Sequence, residues 1–176
     1  MTIDDHQAGT PLPRGARLGV DVGSVRVGLA ASDPDGLIAT PVETLPRDMK
    51  PAPSGPDTPS GTFPADVARI ASEVEERGAR VVYIGLPRHL SGAEGAATAS
   101  ARAYAGLVAR AVAPVPVHLV DERMTTVSAH QALRASGRAG RKQRSVVDQA
   151  AAVIILQTAL DRERSAGARA GEYVER

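Results

Sequence analysis

The 176-residue chain contains no cysteine and no tryptophan, one phenylalanine and three tyrosines. Without cysteine, disulfides, thiolate zinc sites and cysteine nucleophiles are excluded. So few aromatic rings argue against base-stacking platforms, so any nucleic-acid binding must rest on charge and shape. Neither sign of charge prevails: 21 Lys and Arg face 20 Asp and Glu, and a net +1 names no partner. No apolar run approaches the roughly 18 residues of a membrane span. The opening MTIDDHQAG is acidic and polar, unlike a secretory signal. A cytoplasmic protein is expected. The histidines, His6, His89, His118 and His130, show neither zinc spacing nor a Ser-His-Asp pattern.

What the chain does have is small aliphatic residues, rich in Ala with Val, Leu and Ile, which suit close packing of helices on a sheet. Its length fits one domain. Residues 1–15 read as a loose tail, 16–164 as the domain, and 165–176 as a frayed tail. Within the domain, Leu18–Val22 and Val25–Ala30 flank Gly23-Ser24, the signal of a tight hairpin. Leu37–Leu45 reads as a third strand after the turn Asp33-Pro34-Asp35-Gly36, and Pro41 assigns it to an edge. The Pro-rich stretch 46–64 reads as a surface insertion without chemistry.

From Ala65 the apolar period becomes helical, and Gly78 ends that helix. Arg80–Leu86 is a continuous apolar strand, as expected where both faces are covered. A helix from about Glu94 to Val112, a strand Val115–Val120 and a helix from about Thr125 to Ala135 follow. A last helix runs from near Ser145 to about Arg164. The order implies an α/β fold: a mixed five-stranded sheet, an antiparallel meander plus parallel strands, with helices on both faces.

Three acidic positions stand out. Asp21 interrupts an apolar strand, where a carboxylate needs a cation or strong donors; a turn-forming Asp before Gly is the plainer reading. Asp121 and Glu122 close a buried strand, where ligands of open α/β sheets collect. Neighbouring strand residues face opposite ways, and spacing leaves open which points inward. Asp148 shares a helix face with Ala151, Ala152, Ile155 and Leu156; a buried Asp held by an arginine such as Arg144 is the alternative. Carboxylates gathered without histidine or cysteine suit Mg²⁺ or Mn²⁺. Between Arg123 and Asp148 there is no acid, while Arg134, Arg138, Arg141, Lys142 and Arg144 are basic. Arg138–Ser145 reads as a phosphate-attracting loop that leads into the Asp148 helix.

The motifs DVGSVRVGLAASD, YIGLP with Gly92 and Glu94 after it, DERMTT and VVDQAAAVIIL together resemble the YqgF (RuvX) family, in order and spacing, over about Arg17–Leu160. The resemblance implies a ribonuclease H-like fold, close to Holliday junction resolvases. It also implies nuclease activity in maturing the 5′ end of pre-16S ribosomal RNA. On the family pattern the acids fall on Asp21, Glu122 and Asp148, with Asp121 the alternative to Glu122. These would hold Mg²⁺ or Mn²⁺ for phosphodiester hydrolysis. Arg123, Arg138, Arg141, Lys142 and Arg144 would hold the nucleic-acid backbone, and Gly23 and Ser24 would let it approach Asp21. Gly85-Leu86-Pro87 would shape the same edge. No fourth carboxylate is placed, so one- or two-metal chemistry stays open, as do monomer or homodimer and cleavage polarity.

Three other readings remain. The Asp-x-Gly-Ser hairpin resembles the phosphate loop of actin-like ATPases and sugar kinases, which need two such domains. A non-catalytic RNA-binding scaffold would use the acids as a buried network. Junction resolution would apply the same chemistry to branched DNA, and phosphate contacts alone do not separate it from RNA processing.

Overall fold

The computed structural model describes residues 11–49, 63–125 and 141–176. Its strands are β1 (Arg17–Val22), β2 (Arg26–Ser32), β3 (Ala39–Pro46), β4 (Val81–Leu86), β5 (Val117–Asp121) and β6 (Glu172–Tyr173). Its helices are α1 (Ala65–Arg77), α2 (Ala96–Ala111) and α3 (Arg141–Ala166). The strands form one sheet in the order β3-β2-β1-β4-β5-β6. β1, β4 and β5 run parallel, while β2, β3 and β6 pair antiparallel with their neighbours.

Side-chain alternation sorts the strands onto two faces. Leu18 and Val20 of β1, Val27 and Leu29 of β2 and Val82 and Ile84 of β4 are buried with Val67 and Ile70 of α1 and Tyr104 and Val108 of α2. On the opposite face Ala30, Tyr83 and Val120 meet Ala152, Ile155, Leu156 and Leu160 of α3. Each fully buried Leu or Ile contributes about 1.5–3 kcal/mol. α3 lies close because small residues meet it; a Cβ on Gly19 would stand 2.6 Å from Leu156 Cβ.

The far end of α3 is anchored by a buried polar cluster. Glu163 accepts from Arg17 Nε at 3.0 Å, from Arg169 Nη1 at 2.5 Å and from the Tyr83 hydroxyl. Burial and the Glu163 carboxylate raise the Tyr83 phenol well above its ordinary pKa, so it stays a donor. This anchor fixes where α3 lies along the sheet, and therefore where Asp148, roughly 22 Å earlier on the helix axis, meets the opposite edge.

Several expectations are corrected. The hairpin turn is Ser24-Val25, one residue beyond Gly23-Ser24, because Val22 pairs with Val27 and Gly23 N donates to Arg26 O at 2.8 Å. The third strand starts at Ala39, since the Asp33 carboxylate accepts from Leu37 N and Ile38 N at 2.9 and 2.7 Å and holds both in the turn. Those amides also keep the Asp33 carboxyl below its usual pKa. Among the described residues the sheet has six strands, where five were expected. Residues 165–176 are not simply a frayed tail: α3 extends to Ala166, and β6 pairs with β5. Arg141, Lys142 and Arg144 lie within α3 and not in a loop. Arg134, Arg138, the helix expected to Ala135 and residues 50–62 of the Pro-rich stretch lie outside the described residues, as do the side chains of Arg141, Lys142 and Arg144. The edge position of β3, with Pro41 beside a register shift, is as expected. Among the described residues no helix is long and apolar enough to cross a membrane.

Candidate active site

The carboxyl ends of β1, β4 and β5 share one edge of the sheet, and three of the expected acids come to it on the α3 face. Asp21 alternates with Gly19, whose absent Cβ would point at Leu156, so its side chain leaves β1 on that face. Across the ladder Asp21 pairs with Gly28. A Cβ on Gly28 would stand 2.1 Å from the Asp148 carbonyl oxygen, so α3 rests directly on β2 at the level of Asp21. On the other side Gly85 follows Ile84, the partner of Val20. A Cβ on Gly85 would stand 2.6 Å from Ile155 Cδ1 and 2.9 Å from Glu122 Oε1. Asp21 therefore sits between glycines, and the room they leave is taken by the backbone at Asp148 and the carboxylate of Glu122.

Asp121 and Glu122 part company here. Asp121 continues the β5 alternation of Val117 and Leu119, which face α1 and α2. Its carboxylate accepts from Arg123 Nη2 at 2.6 Å and from Arg123 N at 2.9 Å. These bonds hold the Asp121 carboxyl below its ordinary pKa and raise that of Arg123. Glu122 opens a 3-10 turn, Glu122–Met124, and turns to the α3 face.

Asp148 is held by a cation. Its Oδ2 accepts from Arg26 Nε of β2 at 2.7 Å; the side chain of Arg144, the arginine expected there, lies outside the described residues. Sequence reading did not single out Arg26. The signal was there: Arg26, Gly28, Ala30 and Ser32 alternate onto the α3 face, and an arginine opening such a strand has to project at the edge.

The rest of the expected set is placed as follows. Gly23 is required by the hairpin itself, because a Cβ would lie 2.7 Å from Arg26 O. Ser24 is exposed at the turn beside Val25. Gly92, with a positive φ, lies under Arg123, 3.2 Å from its Nη1 to the missing Cβ. Glu94 accepts from Arg102 Nη2 at 2.7 Å, and Arg102 Nη1 reaches Glu172 of β6 at 2.8 Å. This exposed network holds both carboxyl groups below their ordinary pKa.

All-oxygen carboxylate donors in a cysteine-free chain fit a hard divalent cation such as Mg²⁺ or Mn²⁺. Among the described residues no three His, Cys, Asp or Glu side chains already form a cage. Asp21, Glu122 and Asp148 share an edge and a face, with Arg26 on Asp148.

With this geometry in hand, three comparisons bear on the chain. A family model described as "RuvX: Holliday junction resolvase" matches residues 15–162. A Nocardioides protein named "Putative pre-16S rRNA nuclease" is 55% identical over 163 residues, 92% of this chain and 97% of that one. A Streptomyces coelicolor protein of the same name is 51% identical over 173 residues, 98% of this chain and 95% of that one. Among solved structures, T. thermophilus RuvC in complex with Holliday junction substrate aligns at TM-score 0.55 and 18% identity, covering 88% of this chain and 98% of that one. The fold is thus ribonuclease H-like, as the sequence led one to expect.

Proposed function

The chain belongs to the RuvX family, and from that premise we propose that it is a metal-dependent nuclease that matures the 5′ end of pre-16S ribosomal RNA in the cytoplasm. The observation that carries this reading is the placement of Asp21, Glu122 and Asp148 on the α3 face at the same carboxyl edge of the sheet. These three residues hold Mg²⁺ or Mn²⁺. When bound, such a cation supplies Lewis acidity that makes water a better nucleophile and offsets charge on the phosphate. Asp121, paired with Arg123 on the other face, is not part of this set.

The protein's own residues then bind and orient the substrate. Arg138, Arg141, Lys142 and Arg144 engage backbone phosphates; Arg123, tied to Asp121 on the other face, stays outside this set. Gly23 and Ser24 keep the hairpin low beside Asp21. Such contacts fix position without reading sequence. The relatives' name supports ribosomal RNA as the substrate. The family description and the likeness to RuvC support a second reading, resolution of branched DNA at the same site.

The test pits an end-labelled ribosomal RNA precursor with its 5′ extension against a four-way DNA junction, both with Mn²⁺. Cleavage of the precursor by wild type and not by Asp21→Asn is expected. Cleavage of the junction alone would move the activity to branched DNA. Wild type inert on both would leave a non-catalytic scaffold.

A further inference from the structure

We propose that Arg26 is a phosphate-binding residue held in reserve: its guanidinium occupies the Asp148 carboxylate until a divalent cation takes that carboxylate, and then turns to a substrate phosphodiester. The inference rests on the reading of Asp148 as a cation ligand and adds a residue to that site.

Three observations support it. Arg26 opens β2 on the face that carries Gly28, and Gly28 lies against the carbonyl of Asp148, so the arginine and the acid share one column at the edge. The bond runs from Nε to Oδ2 at 2.7 Å, and the terminal nitrogens of a guanidinium form a separate fork that suits phosphate. Both side chains lie at the rim, 32% and 24% exposed, not in the core. Pairs at such positions are weak, so a competing cation displaces the arginine at a cost of about two- to fivefold in its own affinity. The buried Arg17–Glu163 pair at the other end of α3 is 6% and 4% exposed and holds the helix in place when Arg26 lets go.

Once a dication sits on the carboxylates, a guanidinium beside it is repelled, while a phosphodiester arriving at the same edge attracts it. Cation binding and substrate binding are thereby coupled through one side chain. In a purely structural role, Arg26 would tie β2 to α3 and do nothing else.

The experiment measures Mn²⁺ affinity by titration calorimetry for wild type, Arg26→Gln, Arg26→Lys and Asp148→Asn. Binding of a labelled single-stranded RNA is measured in parallel, with Ca²⁺ and with no divalent cation. Arg26→Gln should bind Mn²⁺ about two- to fivefold more tightly than wild type. It should bind RNA more weakly in Ca²⁺, by about fivefold, the loss of one charge-assisted contact, and equally without a divalent cation. Arg26→Lys, which keeps the charge, should lie between. Mn²⁺ binding by Arg26→Gln that is unchanged or weaker, with Asp148→Asn losing Mn²⁺, overturns the Arg26 proposal and leaves the site intact. So does RNA affinity in Ca²⁺ that does not respond to Arg26→Gln. Asp148→Asn binding Mn²⁺ as wild type does overturns the site reading, and this proposal with it.

Discussion

Gly28→Ala tests how the site is built. The new Cβ would lie 2.1 Å from the Asp148 carbonyl oxygen, where ordinary contact begins at 3.4 Å, a shortfall of about 1.3 Å. The obstacle is helix backbone and cannot rotate away as a side-chain tip would. α3 must lift from β2 at its first described turns, while the Glu163 cluster holds its other end. Overpacking of this kind costs about 1–3 kcal/mol, and for a chain of this length that lowers Tm by roughly 3–10 °C. A displacement of ~1 Å at a catalytic group also costs about 100-fold in rate. Gly106→Ala is the control: nothing lies within 4 Å of its absent Cβ, and it sits inside α2. There alanine should add about 0.5–1 kcal/mol of stability and leave cleavage unchanged. Calorimetric Tm and cleavage rate, read on both variants, decide the matter. Gly28→Ala with wild-type Tm and rate would refute the placement of α3 on β2.

Two further predictions concern the anchor and the core. Glu163→Gln leaves Arg17 charged and buried, and should cost about 3–5 kcal/mol, seen as a lower urea midpoint with unchanged m-value. Burial holds the His118 imidazole below its ordinary pKa, and the Arg169 charge adds to this. The unfolded chain binds that proton more readily, so the contribution of His118 is complete above about pH 6.5 and is lost as pH falls below it. His118→Gln should flatten the drop in stability between pH 7.5 and 5.5; an unaltered slope would assign the drop to other groups.

Much of this architecture was legible in the chain from its local patterns. Apolar runs marked β1, β2 and β4, the helical period marked α1, an Ala-rich stretch marked α2, and Gly78, in a left-handed conformation, ends α1 where expected. Features that rest on distant partners were not legible. β6 is two residues long, too short to show a period, and is held by Arg102 and the β5 ladder. The hairpin slipped by one residue because Gly23 serves a close backbone pairing and not the centre of the turn. Asp121 and Glu122 could be separated only by the alternation of β5 in three dimensions. The Arg26–Asp148 pair joins residues 122 positions apart, beyond the reach of any local pattern.

The most direct measurement of the central claim is Mn²⁺-dependent cleavage of the labelled ribosomal RNA precursor by four carboxylate variants. Asp21→Asn, Glu122→Gln and Asp148→Asn should each lose activity by about 100-fold or more, the scale of a lost catalytic group. Asp121→Asn, on the other face, should keep most of it. An active Glu122→Gln beside an inactive Asp121→Asn would contradict the assignment of the site to the α3 face, and full activity in all four would remove the carboxylate centre altogether.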